Sequence, residues 1–159
     1  MARKKGELTV APQFSLFDTD KNKVSLADQK GKNVVVLFFP LAFTGVCTAE
    51  LCNVRDNIAL YNNTNAIVFG ISVDSLFSLG KFRDEQKLNF RLLSDFNKEA
   101  ASAYGVLYET FPAFDMLGVS KRAAFVIDKE GVVRYAEVCP TPGDLPNFEA
   151  IQQTLNSLN

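Results

Sequence analysis

The stretch Asn33-Val34-Val35-Val36-Leu37-Phe38-Phe39 constrains this chain more than any other, because after Asn33 it has no polar face. A strand with one face in water alternates apolar and polar side chains; a strand that is apolar at every position must be covered on both sides. β-Branched and aromatic residues dominate the run, which favours a strand over a helix. Pro40 then stops it. The run therefore reads as a central strand of an α/β sheet. A second run of the same kind, Ala66–Val73, supports that reading. Between the two, Cys47, Leu51, Val54, Ile58 and Tyr61 recur at helical spacing, which predicts a helix from Thr44 to Asn62.

The remaining elements follow the same alternation. Phe14–Phe17 and Val24–Leu26 flank a polar turn and predict an N-terminal β-hairpin. Ser75 to Leu88 predicts a helix capped by Ser75, with Leu76, Leu79, Phe82 and Gln86 facing inward. Arg91–Ser94 predicts a short strand, and Lys98–Tyr104 a short helix ended by Gly105. Ala123–Ile127 and Val132–Val138, joined by Asp128-Lys129-Glu130-Gly131, predict a second hairpin. Asn147 to Leu158 predicts an amphipathic helix. The expected architecture is α/β, a mixed central sheet flanked by helices, in one domain spanning residues 1–159. Leu107–Gly118 fits no period and is rich in apolar residues, so it is expected either to pack on the body or to form an interface.

Composition removes whole classes of function. The chain has no His, which excludes His-dependent triads, Cys–His dyads and His-ligated metals. Its 17 basic and 18 acidic residues give a formal charge of −1, which argues against a nucleic-acid binder or an anionic-membrane binder. Met1–Gly6 is basic, but Glu7, Pro12 and Gln13 stand where a signal peptide's apolar region would be. The apolar stretch Val34–Phe43 is about half the length of a membrane span and contains Pro40. A cytoplasmic protein with reduced thiols is expected. Its three cysteines do not make a disulfide framework.

Cys47 is the informative one. The Asn33–Phe39 strand ends at Pro40, a short loop follows, and Cys47 falls in the first turn of the next helix. Free N–H groups and the positive end of the helix dipole lie there, and both favour a thiolate. Thr44, three residues earlier, can present a hydroxyl to the sulfur or to a bound oxygen.

Pro40-x-x-x-Thr44-x-x-Cys47 resembles the peroxidatic motif of the peroxiredoxins, thiol peroxidases on a thioredoxin-like fold. The resemblance extends to Glu50, to Arg122 ahead of the Ala123–Ile127 strand, and to the order of elements over nearly the whole chain. PLAFTGVC followed by CTAELCNVRD looks most like the alkyl hydroperoxide reductase E and bacterioferritin-comigratory-protein (Q-type) branches. The resemblance implies that Cys47 attacks a peroxide oxygen and becomes a sulfenic acid. It implies that the Thr44 hydroxyl, the Arg122 guanidinium and the N–H groups of Val46 and Cys47 stabilise the developing charge. Pro40 would shield the sulfur, Glu50 would orient Arg122, and no metal or organic cofactor is required. Phe43, with Phe111 and Phe114, is expected to line an apolar approach suited to organic hydroperoxides.

The Q-type branch uses a second cysteine at the spacing of Cys52 as the resolving thiol. On an ideal helix, residues five apart have Cα atoms roughly 8.7 Å apart, beyond the ~4.4–6.8 Å of a disulfide. A Cys47–Cys52 bond therefore requires the first turn of the helix to unwind. The implied partners are a thioredoxin- or glutaredoxin-like reductant and a second copy of the chain, with Leu107–Gly118 as the dimer surface. Alternatives remain open from the sequence. The E-type branch can work with one cysteine and an external thiol, and Cys139 is either structural or another resolving thiol. A thiol–disulfide oxidoreductase would normally want Cys-x-x-Cys, and a non-catalytic interaction module would rest on the apolar loop alone.

Overall fold

The computed structural model describes residues 9–159. The basic segment Met1–Gly6 lies outside the described residues. The strands are β1 (Thr9–Val10), β2 (Ser15–Asp18), β3 (Lys23–Ser25), β4 (Asn33–Phe38), β5 (Ala66–Ser72), β6 (Arg91–Ser94), β7 (Ala123–Ile127) and β8 (Val132–Val138). The helices are α1 (Gly45–Asp56), α2 (Ile58–Asn62), α3 (Leu76–Gln86), α4 (Glu99–Ala103) and α5 (Phe148–Ser157), with a 3₁₀ turn at Leu26–Gln29. One mixed sheet runs in the order β1-β8-β7-β4-β5-β6-β2-β3. β4, β5 and β6 pair in parallel, and β7 lies antiparallel on the other side of β4. This is the mixed α/β sheet that the pattern predicted, in the thioredoxin-like form that the resemblance implied.

β4 explains its own sequence. Every residue of the strand is buried, and its side chains alternate between two cores. Val34, Val36 and Phe38 join Phe14, Phe69 and Tyr104 on one face of the sheet. Val35, Leu37 and Phe39 join Leu51, Leu79, Phe82 and Leu155 on the other, beneath α1, α3 and α5. Cys47 belongs to this second core and is 1% exposed.

Two expectations are corrected. The Thr44–Asn62 helix is interrupted at Asn57 (φ −118°, ψ 19°), which separates α1 from α2. The Asn57 side-chain amide donates to the Asn53 carbonyl at 2.8 Å, and its backbone N–H turns to Val54 instead. The side chain thus takes the carbonyl that the helical ladder would have used. In α3, Leu79 and Phe82 are buried, whereas Leu76 and Gln86 are only partly so. The Ser75 cap is present, its hydroxyl accepting from the Ser78 N–H. β1 was not anticipated, being two residues long and visible only through its pairing with β8.

Leu107–Gly118 folds back on itself as an arm. Isolated bridges join Leu107 to Ser120 and Thr110 to Leu117, and the Phe111 N–H donates to the Met116 carbonyl. Gly118 closes the arm at φ +72°, where a Cβ would come within 2.6 Å of Lys98 Cε.

Candidate active site

Cys47 stands in the first turn of α1, directly after the chain leaves β4 through Pro40. The loop between them is tied to the sheet. The Ala42 N–H donates to Asp74 Oδ2 at 2.8 Å, and the Ser72 hydroxyl donates to the same oxygen at 2.7 Å. Asp74 was not singled out from the sequence; a lone Asp after a strand carries no signal of what it will anchor. Phe43 within the loop takes φ +67°, a left-handed conformation that is uncommon for a bulky residue. Its ring packs on Phe82, with centroids 5.2 Å apart.

Thr44 occupies the N-cap position of α1 but does not cap it. Its hydroxyl donates instead to the Leu41 carbonyl at 2.8 Å. The first bond of the helical ladder runs from the Thr48 N–H to the Thr44 carbonyl. The N–H groups of Val46 and Cys47 therefore precede the ladder, and the side chain best placed to cover them has turned away. The helix opens with its dipole end uncapped beside the Cys47 sulfur, an arrangement suited to a bound anion or a developing negative charge.

On the opposite wall, Arg122 enters from the residue before β7. It is 2% exposed, and three groups share its guanidinium. Nη2 donates to Cys47 Sγ at 3.2 Å and to the Pro142 carbonyl at 3.0 Å, while Nη1 donates to Glu50 Oε1 at 2.8 Å. Glu50 lies one turn beyond Cys47 on α1 and is fully buried. Burial pushes its pKa from 4.5 to about 7 against the lowering pull of Arg122. Sequence reasoning singled out Cys47, Glu50 and Arg122, but not the Pro142 carbonyl that shares Nη2 with the sulfur; the buried Nε has no hydrogen-bond partner among the described residues.

A cavity of about 440 Å³ opens over the sulfur. Its walls include Pro40, Val46, Phe111, Phe114 and Met116, with Thr44, Cys47 and Arg122 as its polar points. The arm thus contributes three side chains to the site while exposing Phe114 (86%) and Leu117 (71%). Phe43 is not among the lining residues; its ring is held by Phe82. A larger groove of about 790 Å³ lies elsewhere, between Lys30, Asn65 and Arg91, and contains no cysteine.

The other two thiols differ from Cys47. Cys52, also on α1, is half-buried and donates to Gln86 Oε1 at 3.5 Å. Cys139 is buried behind Arg122, whose carbonyl accepts its backbone N–H at 2.9 Å. Burial, reinforced by Glu137 and Glu50, pushes the Cys139 thiol up to about 11. Among the described residues, no group of three or more Cys, Asp or Glu side chains could hold a metal ion, and no helix is long and apolar enough to cross a membrane.

Comparisons with known proteins bear on the family and the fold. The model of the AhpC/TSA family matches residues 9–136. Alkyl hydroperoxide reductase E of Mycobacterium tuberculosis is 37% identical over 138 residues, covering 85% of this chain and 86% of that protein. Peroxiredoxin Bcp of Escherichia coli is 37% identical over 127 residues, covering 79% and 81%. The crystal structure of peroxidoxin BcpB from M. tuberculosis superposes with a TM-score of 0.83 at 26% identity, over 96% of this chain and 97% of that one.

Proposed function

Because the chain belongs to the AhpC/TSA family, the peroxiredoxins, we propose that Cys47 is its peroxidatic nucleophile and that it reduces hydrogen peroxide and organic hydroperoxides. The observation that carries this reading is the buried Cys47 sulfur between the Arg122 guanidinium and the uncapped start of α1. The peroxide enters past Phe111 and Met116. A lone pair of the Cys47 thiolate attacks the terminal oxygen of R–O–O–H. The S–O bond forms as the O–O bond breaks, so sulfur loses two electrons and the departing oxygen gains them. Arg122 Nη2 and the N–H groups of Val46 and Cys47 stabilise the charge on that oxygen, fixed in place before it develops. Thr44 has its proton engaged with Leu41, so its oxygen is free to accept the peroxide O–H. Pro40 walls the sulfur from bulk water, and Glu50 holds the far side of Arg122.

Cys52 is proposed as the resolving thiol, displacing water from the Cys47 sulfenic acid to give an intramolecular disulfide. A thioredoxin- or glutaredoxin-like protein then reduces it. Since both cysteines lie on the unbroken α1, this step needs the helix to open from its first turn. The second reading, a one-cysteine cycle completed by an external thiol, is favoured if the Cys52–Gln86 contact holds α1 closed. The raised Cys139 thiol speaks against that residue as an attacking group. The exposed Phe114 and Leu117 support a homodimer through the arm. Residues 1–159 are proposed as one domain acting in the cytoplasm.

The test is mass spectrometry with peptide mapping after one equivalent of hydrogen peroxide and a sulfenic-acid trap. A Cys47–Cys52 linkage supports the two-cysteine cycle. Trapped sulfenic acid at Cys47 with Cys52 free supports the one-cysteine cycle. Cys47 left unmodified on the catalytic timescale would end the peroxidase reading.

A further inference from the structure

Arg122 is a single cation between two groups that can each be anionic. Nη2 meets Cys47 Sγ at 3.2 Å and Nη1 meets Glu50 Oε1 at 2.8 Å, with all three residues buried. One guanidinium cannot neutralise both a thiolate and a carboxylate, and an uncompensated buried charge is costly. The asymmetry between the two anions decides which gives way. The sulfur has the cavity and the helix start beside it. Glu50 has Oε2 buried with no hydrogen-bond partner, a poor setting for a full carboxylate.

We propose that Glu50 carries a proton while Cys47 is a thiolate and releases it when Cys47 becomes a sulfenic acid, so that one buried positive charge is matched by one negative charge in both redox states. The inference rests on the peroxidatic role of Cys47 and assigns to Glu50 a task beyond orienting the guanidinium. It remains a positioning residue, since it touches neither peroxide nor the reacting oxygen.

The balance is explicit. Attack of the thiolate on R–O–O–H gives S–OH and an alkoxide, and the alkoxide takes one proton to become the alcohol. Without Glu50 that proton is a net uptake from water. With Glu50 releasing one as the sulfur's charge is lost, the protein's uptake falls toward zero. Of the other groups facing the carboxyl, Tyr61 on α2 and Cys139 after β8 stay neutral, burial pushing them up to about 12 and about 11 respectively. Glu137 on β8 adds a repelling charge, its Oε1 held by the Tyr135 hydroxyl and the Asn147 N–H. These surroundings agree with the raised value of Glu50, about 7, to which the Cys47 sulfur adds no charge; a thiolate beside the same guanidinium holds the proton to higher pH, which puts the exchange above neutral pH.

The test uses the full chain with Cys52→Ser, so that oxidation stops at the sulfenic acid, with and without Glu50→Gln. Proton uptake per peroxide consumed is followed with an indicator dye in single-turnover stopped flow. About one unit above pH 7, the protein that keeps Glu50 is expected to take up fewer protons than the Glu50→Gln protein, by as much as one per turnover. About two units below pH 7, where Glu50 stays protonated in both redox states, the two should agree. In infrared difference spectra about one unit above pH 7, the carbonyl band of a protonated carboxyl group should be present before oxidation, lost after it, and absent with Glu50→Gln. Equal uptake at every pH, or a carboxyl band unchanged by oxidation, would overturn the inference. If Glu50→Gln folds poorly, the infrared band of the Glu50-containing protein decides alone. Peroxide left unconsumed with Cys47 unmodified would instead overturn the peroxidatic role, and this inference with it.

Discussion

α1 carries two cysteines in opposite settings, one in its first turn and one near its middle. At the start, Cys47 is sealed in the second core and gripped by Arg122, which is itself tethered to Glu50 and Pro142. Five residues later, Cys52 is half-buried and makes one long contact with Gln86. What separates the proposed peroxidatic thiol from the proposed resolving one is therefore not the residue or the helix but the neighbours. Cys47 has a cation in hydrogen-bond contact and open N–H groups; Cys52 has an amide oxygen, with the Arg55 charge acting on it only from a distance.

Removing the first thiol tests the comparison most severely. Cys47→Ser should reduce peroxide consumption more than about a thousandfold, while Cys52→Ser should change the first, peroxide-consuming step by less than about twofold. Stopped-flow oxidation of both variants checks this; comparable losses would erase the distinction between the two thiols. In steady state, Cys52→Ser should still halt turnover driven by a thioredoxin-like reductant alone.

Arg122→Ala should come next, with a loss of about a hundredfold or more in the second-order rate with hydrogen peroxide. It also leaves Glu50 buried without its cation, so denaturant unfolding at neutral pH should show about 3 kcal/mol less stability. A rate within a few-fold of the parent would mean that the helix start alone serves the sulfur.

Glu50→Gln sharpens the same end of the helix through pH. The folded-state value of Glu50, about 7, lies above its ordinary 4.5, so folding favours the protonated form. That contribution is whole below about pH 4.5 and is lost as pH rises through about 7. Gln has no proton to lose. The stability of the parent relative to the variant should therefore fall across this window, by on the order of 3 kcal/mol. Parallel unfolding free energies from acid to neutral pH would contradict it.

The smallest effect is expected at the rim. Phe114→Ser removes an exposed ring, and stability should change by less than about 0.5 kcal/mol. The KM for a bulky organic hydroperoxide should rise a few-fold, with hydrogen peroxide unaffected. Equal changes for both would remove the arm from substrate selection.

The strands and the Cys47 motif were legible because local pattern and global fold agree in them. A strand apolar on both faces can only be central, and the hairpin at Asp128–Gly131 announces itself by its turn. Other features depend on contacts between residues distant in sequence, or on a local competition that periodicity does not register. Asn57 breaks a well-patterned helix because its side chain outcompetes its own N–H for a carbonyl. Thr44 stands at the expected place, but its hydroxyl partner is Leu41, which leaves the helix start open. Phe43 was expected at the substrate approach, and its left-handed backbone instead accompanies a ring packed on Phe82. Asp74 and Pro142 gave no sequence signal, because their roles arise only when the chain returns to the site.

The break at Asn57 has a consequence for the motion that joining Cys47 to Cys52 demands. Helix opening is cooperative and runs along an uninterrupted ladder until something stops it. In this chain, the ladder that carries both cysteines ends at Asp56, and α2 begins a separate one that keeps Tyr61 in the core. In the proposed two-cysteine cycle, disulfide formation would melt one short cooperative unit while β4, β5 and the body of the sheet keep their protection from hydrogen exchange. In that cycle α1 is a fuse of fixed length: it would burn from Gly45 and go out at Asn57.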